Sequence, residues 1–272
     1  MSRLDHISQA MLKSVARLTQ KKFRHEERKF IVEGLRAVEE ALESDWRVEM
    51  LLVGDPILSK GDAAPAMRSA RAKKCPIYEV SAAEIERLSD TITSQGILAV
   101  VSIKGDGADK DLSALPNRAV VVALDGIADP GNAGTMLRTC DWFGVDAVLM
   151  GRNSVDLYSP KVVRGAMGSI FHLQILPEVD LLKSVRLARK GGFKVFVTVA
   201  PGNSSSTTPL FPMKTLPGKI LLIFGNEAHG VSKELMNEAD GHISIPKFGR
   251  AESLNVAISC GVILGAIRLN NP

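Results

Sequence analysis

Little in this chain of 272 residues could cross-link it, thread it through a bilayer or export it. Its three cysteines, Cys75, Cys140 and Cys260, are odd in number, far apart and without a CxxC spacing. That pattern argues against a disulfide framework and a thiolate metal site, and it fits a reducing cytoplasm. The three are expected to be small buried hydrophobes. The longest apolar runs, such as Ile220 to Phe224 and Val262 to Leu264, fall well short of the roughly 20 residues a membrane-spanning helix needs. Residues 1–14 mix acidic and basic side chains with no apolar stretch, so no secretory signal is expected.

What is present reads as globular. Hydrophobic residues make up 45% and charged residues 24%, which excludes a disordered chain, and the length suffices for two ordinary domains. The formal net charge of +4 is unevenly spread. Residues 1–36 hold nine Lys or Arg against four Asp or Glu, a local +5 that leaves the remainder near −1. A basic block on a near-neutral body is a footprint for a polyanion. Lys21, Lys22, Arg24 and Arg28 are its candidate phosphate contacts, although a solvated helix face would carry similar charges.

The periodicity predicts an α/β protein. Residues 8–20 place Met11, Leu12, Val15 and Leu18 at helical spacing. Phe30–Val32, Met50–Val53 and Ile97–Ile103 are strand-like, with helices expected over 34–42, 63–73 and 82–88. A Gly-, Pro- and charge-rich stretch at 105–117 marks a linker between a domain over 1–104 and one over 118–272. From Arg118 onward, strands expected at 120–124, 147–150, 173–176, 194–199, 220–224 and 242–245 alternate with helices at 133–143, 160–168, 180–190 and 253–269. Alternating βα units imply a mainly parallel sheet with helices on both faces. Residues 203–208, rich in Ser and Thr, read as a loop.

Three strands run into Gly- or Pro-bearing turns with polar side chains: Val120 to Arg138, Ile220 to Ser232 and Ile243 to Asn255. Open α/β sheets bind ligands at the C-terminal ends of their strands. Several chemistries fail. Gly225 to Gly230 has the GxxxxG spacing of a P-loop, but Val231 stands where the phosphate-binding Lys belongs. Gly126, Gly131 and Gly134 do not form GxGxxG. His172, His229 and His242 have no GxSxG elbow to serve, and His229 with Glu227 lacks further clustered ligands, so no metal is expected. What remains is amides, one Glu, one Arg and glycine-lined backbone, a set suited to a cofactor held by main-chain groups and an anionic substrate held by Arg.

The three segments Asp129-Pro-Gly-Asn-Ala-Gly-Thr-Met-Leu-Arg138, Phe224-Gly-Asn-Glu-Ala-His-Gly-Val-Ser232 and Ile245-Pro-Lys-Phe-Gly-Arg-Ala-Glu-Ser-Leu-Asn-Val256 resemble the motifs of the SpoU (TrmH) family of RNA 2′-O-methyltransferases, in the SPOUT superfamily. Phe30-Ile-Val-Glu-Gly34 is similar to the start of the substrate-binding domain of members that act on ribosomal RNA. The resemblance implies a trefoil knot, S-adenosylmethionine as cofactor and a homodimer. By matched position it implies Thr198, Gly225, Asn226, Ile245, Pro246 and Leu254 for the cofactor, and Asn132, Arg138, Glu227, Ser253 and Asn255 for catalysis. Lys247 and Ala257 depart from the usual motif, and Lys247 could touch phosphate or simply be solvated. Lys161 and Arg164, at i and i+3 of an expected helix, join the candidate RNA contacts. Ser253 is expected to cap the last helix as well. Large-subunit ribosomal RNA is the expected target, with transfer RNA, or a non-catalytic RNA-binding role in ribosome assembly, as alternatives.

Overall fold

The structure is a computed structural model that describes residues 4–89, 91, 93–105, 112–201, 207–209 and 218–270. The chain divides into two compact units, Met1–Gly105 with Asp156–His172, and Asp106–Val155 with Leu173–Pro272. Half of the expected linker, residues 106–111, lies outside the described residues, as do 203–206 of the expected loop, whose last two residues belong instead to the strand Thr207–Pro209.

The first unit is built on a five-stranded mixed sheet in the order Asp5–His6, Ile77–Val80, Val48–Gly54, Ile97–Ser102, Lys29–Glu33. The helix expected over 8–20 ends at Arg17, and a second helix that was not expected follows it. Gln9–Arg17 is capped by Ser8, whose Oγ accepts from the Met11 amide at 3.3 Å, and Lys21–Glu27 ends where Arg28 turns left-handed at φ 54°. Leu12, Val15 and Leu18 pack on Ile31, Leu52, Leu98 and Val100, so the apolar stripe does form the inner face. The strand Ile77–Val80 has no counterpart in the periodicity. Four residues are too few to show alternation, and parallel pairing with Val48–Gly54 supplies what pattern cannot.

Residues 156–172, expected in the C-terminal domain, belong to this first unit for identifiable reasons. The Phe30 ring lies 4.9 Å from Tyr158 and 6.5 Å from Phe171, which meets Trp46 edge-on at 5.6 Å. Such aromatic pairs stabilise by roughly 0.5–1.5 kcal/mol beyond their area burial. His172 Nε2 also lies 3.0 Å from Glu40 Oε2.

The second unit carries a seven-stranded sheet in the order Thr207–Pro209, Gly241–Ser244, Phe193–Thr198, Lys219–Gly225, Val120–Asp125, Ala147–Gly151, Ile175–Val179, and every described pairing is parallel. Val121, Ala123, Leu221 and Ile223 pack on Leu181, Val185, Ala188 and Leu235 from the helices Leu181–Lys190 and Lys233–Asn237. Their chain neighbours Val120, Val122, Leu222 and Phe224 are equally buried. Side chains alternate along a strand, so both faces are covered, which is why these strands read as continuous apolar runs. The helix Pro130–Trp142 starts at Asp129, whose Oδ1 accepts from the Asn132 amide at 2.7 Å, with Pro130 at the first helical position. It packs against the last helix, Val256–Asn270. Gly261 and Gly265 face that seam, where a Cβ would make ordinary contact with Thr139 at 3.8 Å and Phe143 at 3.4 Å, so neither is required by the packing. Cys140 and Cys260 sit buried in the same seam as free thiols. Hydrogen bonding to Cys260 and then burial push the Cys140 thiol well above its ordinary range.

Candidate active site

Four neighbouring parallel strands end at one edge of the second sheet, and the predicted turns follow directly. At the end of Lys219–Gly225 the chain folds back on itself. The Asn226 amide donates to Gly230 O at 3.0 Å and the Gly230 amide to Asn226 O at 2.8 Å. A Cβ on Gly225 would lie 2.2 Å from Gly230 C and Val231 N, so only glycine fits. The GxxxxG spacing is therefore a backbone-on-backbone turn. Asn226 locks it: Oδ1 accepts from the Ala228 and His229 amides at 2.9 and 3.2 Å, and Nδ2 donates to Gly126 O at 2.7 Å. Asp125, at the end of Val120–Asp125, accepts the Ser232 amide at 2.8 Å. Asp125 was not singled out from the sequence and Gly126 only as part of a failed GxGxxG pattern, and an acidic residue beside a glycine at a strand end was the available signal.

The locked turn holds Glu227 in a hydrogen-bonded chain that unites the three motifs. Asn255 Oδ1 accepts from the Ala257 and Ile258 amides at 2.9 and 3.3 Å, capping the last helix. Its Nδ2 therefore faces Asn132 Oδ1, at 3.0 Å. That leaves Asn132 Nδ2 to donate to Glu227 Oε1 at 2.9 Å, and a carboxylate oxygen can only accept. The direction of every bond is thus determined by the backbone cap at one end and the carboxylate at the other.

The remaining predicted residues fall in distinct places. Arg138 is on the exposed side of its helix, opposite buried Met136, Leu137 and Cys140. It lies six residues beyond Asn132, roughly 9 Å along the axis, and makes no hydrogen bond or ion pair among the described residues. Thr198 ends Phe193–Thr198 and donates to Ile223 O at 3.0 Å. Ile245 is half-buried just past Gly241–Ser244, Pro246 is exposed, and Leu254 is 47% exposed. Ser253 does not cap the last helix, which begins at Val256 with Asn255 as its cap. Its hydroxyl makes no hydrogen bond among the described residues.

In the first unit, Lys21, Lys22 and Lys161 are exposed. Arg24 is not a phosphate contact. It is 3% exposed, its guanidinium pairs with Asp156 Oδ2 at 2.5 Å and donates to the carbonyls of Leu18 and Thr19, both at 2.8 Å. Its donors are committed to holding residues 156–172 in place, and removing one partner of such a buried pair is costly. Arg28 donates to Lys104 O at 2.7 Å. Arg164 lines a cavity of about 920 Å³ in which Glu33, Glu39, Glu40, Glu43 and Asp62 outnumber the cations Arg36, Lys60 and Arg164, a poor electrostatic setting for phosphate. None of that cavity's lining belongs to the Glu227–Asn132–Asn255 chain.

The SpoU rRNA methylase family matches residues 119–265, and an MRM3-like substrate binding domain matches residues 9–99. The chain belongs to the SpoU rRNA methylase family. It is 30% identical to the 23S rRNA (guanosine(2553)-2′-O)-methyltransferase RlmP of Bacillus subtilis, over 98% of this chain and all of that protein. An AdoMet-bound rRNA methyltransferase from Sinorhizobium meliloti matches with 28% identity and a TM-score of 0.82, covering 99% of this chain and 98% of the other. A solved RNA 2′-O ribose methyltransferase matches at 27% identity and TM-score 0.76, with 97% of each chain covered. The 119–265 match spans all three motifs that meet at the strand ends, and the 9–99 match spans the first unit's sheet from helix Gln9–Arg17 onward.

Proposed function

We propose that the chain is an S-adenosylmethionine-dependent RNA 2′-O-ribose methyltransferase that acts on large-subunit ribosomal RNA in the cytoplasm. The observation that carries this reading is the Glu227–Asn132–Asn255 chain, in which one residue from each motif is hydrogen-bonded to the next. The similar proteins include a 23S rRNA 2′-O-methyltransferase and an RNA 2′-O ribose methyltransferase, and the structure of a similar rRNA methyltransferase contains AdoMet.

The residues fit that cofactor. Gly225 lets the turn fold tightly onto the strand end, and Thr198, Asn226, Ile245, Pro246 and Leu254 lie on the same edge or in the segments leaving it. When bound, S-adenosylmethionine supplies an electrophilic methyl group on a sulfonium. The chain's own task is then to place a ribose 2′-oxygen in line, a positioning effect worth up to roughly 7–11 kcal/mol. Arg138 is assigned to the substrate: its planar fork suits a phosphate, and its permanent charge stabilises the oxygen as it gains negative character. A guanidinium keeps its proton below roughly pH 12, so Arg138 clamps and the proton leaves to solvent. Glu227 holds Asn132 in orientation, Asn255 ties that pair to the last helix, and Ser253 faces the substrate.

The first unit is assigned to RNA recognition, with Lys21, Lys22 and Lys161 on phosphates. The enzyme is taken to work as a homodimer, with the trefoil knot of its superfamily. Trp142 is 84% exposed, Leu269 82%, Ile258 55% and Val262 38%, all on the packed pair Pro130–Trp142 and Val256–Asn270. Apolar exposure of this kind marks an association surface. The test is to map ribose methylation in cells with and without this protein. Loss of one 2′-O-methyl group from large-subunit RNA is expected, and an unchanged map would refute the reading. Sedimentation should give a dimer that Trp142→Glu dissociates.

A further inference from the structure

Residues 246–255, between the last strand and the last helix, are all exposed. Phe248 is 97% exposed within this loop and is the only exposed Phe among the described residues. A phenylalanine held almost wholly in water gains nothing from burial in the folded chain, so apolar packing does not account for it. Its setting differs from that of the exposed apolar residues on the two packed helices. Lys247 precedes it and Arg250 follows two residues later, and neither cation makes an ion pair among the described residues. The loop runs directly into Asn255, which is bonded to Asn132 and through it to Glu227.

We propose that Phe248 is a stacking platform for an unpaired RNA base beside the target ribose, with Lys247 and Arg250 holding the phosphates on either side. An aromatic face between cations is the chemistry by which proteins grip single-stranded nucleic acid: every base has a π-face, and the backbone supplies the negative charge. Sequence-specific RNA recognition overwhelmingly uses loops and bulges whose bases can be splayed onto such a face. A second protein chain would need an apolar surround for Phe248, and the exposed side chains nearest to it along this loop are Lys247 and Arg250, with Glu252 and Leu254 further along. The proposal rests on the reading of the chain as an RNA methyltransferase, and it makes Phe248 a positioning residue for that reaction.

Three variants test it with the full-length protein: Phe248→Leu, which keeps an apolar side chain without a ring, Phe248→Tyr, which keeps the ring, and Phe248→Trp. Phe248→Leu should raise KM for RNA about 10-fold, in line with the loss of a stacked base. S-adenosylmethionine affinity by calorimetry and sedimentation should not change, and Phe248→Tyr should restore KM. In Phe248→Trp, added single-stranded oligoribonucleotide should quench fluorescence beyond any change seen in the parent, which has Trp46 and Trp142. The stacking assignment is overturned if Phe248→Leu matches the parent, if Leu and Tyr behave alike, if sedimentation changes, or if the new Trp is not quenched. Should the parent itself fail to methylate RNA, the functional reading falls, and the quenching measurement still decides whether Phe248 stacks on bases.

Discussion

Two segments leave the same edge of the second sheet, and they are built in opposite ways. The turn 225–232 is locked by a reciprocal pair of backbone hydrogen bonds, three bonds from the Asn226 side chain and the Asp125 carboxylate on the Ser232 amide. Residues 246–254 are exposed and make no hydrogen bond among the described residues until the chain reaches Asn255. Stability is distributed unevenly within a fold, and segments that adapt to ligands come from its weaker end. The locked turn provides fixed geometry, because it aims Glu227 at Asn132. The open loop provides adjustable contact, because no hydrogen bond among the described residues holds 246–254 in one shape.

That contrast can be broken or sharpened by substitution. The largest effect is expected at Gly225→Ala, where the new Cβ meets backbone that cannot swing away. A loss of about 1–3 kcal/mol or more in chemical denaturation is expected, together with loss of S-adenosylmethionine binding. Asn226→Ala comes next: it leaves two amides and the Gly126 carbonyl without their partner, which should cost about 1–3 kcal/mol in the same assay. In the open loop, Arg250→Ala should leave stability within about 0.5 kcal/mol of the parent while reducing the slope of log RNA affinity against log salt by about 1. A comparable stability loss at Arg250 and Gly225 would erase the distinction between the two segments.

Much of this was legible in the chain. The parallel sheet followed from the alternation of strand and helix segments, and its strands read as apolar runs because strands covered on both faces cannot show alternation. Ile77–Val80 was missed because four residues carry no period, and the first helix was read too long because Leu18, just past its end, keeps the apolar spacing of Leu12 and Val15. The allegiance of residues 156–172 was hidden because it depends on contacts distant in sequence, Arg24 with Asp156 and Phe30 with Tyr158. The same contact explains why Arg24 misled: composition counts a buried and an exposed arginine alike. At the site, Asn132, Glu227 and Asn255 were named by motif and are joined by hydrogen bonds, whereas the cap on the last helix moved from Ser253 to Asn255. Residue types could not reveal that shift, because either side chain can cap.

The central claim is that Arg138, without a hydrogen bond or ion pair among the described residues, serves the substrate at a site whose framework is otherwise complete without it. The decisive measurement is methyl transfer from S-adenosylmethionine to large-subunit ribosomal RNA by Arg138→Ala, beside calorimetric binding of the cofactor to the same variant. Turnover should fall at least about 100-fold, as when a group stabilising developing charge is removed, while cofactor affinity stays at the parent value. Full turnover in the variant would contradict the account.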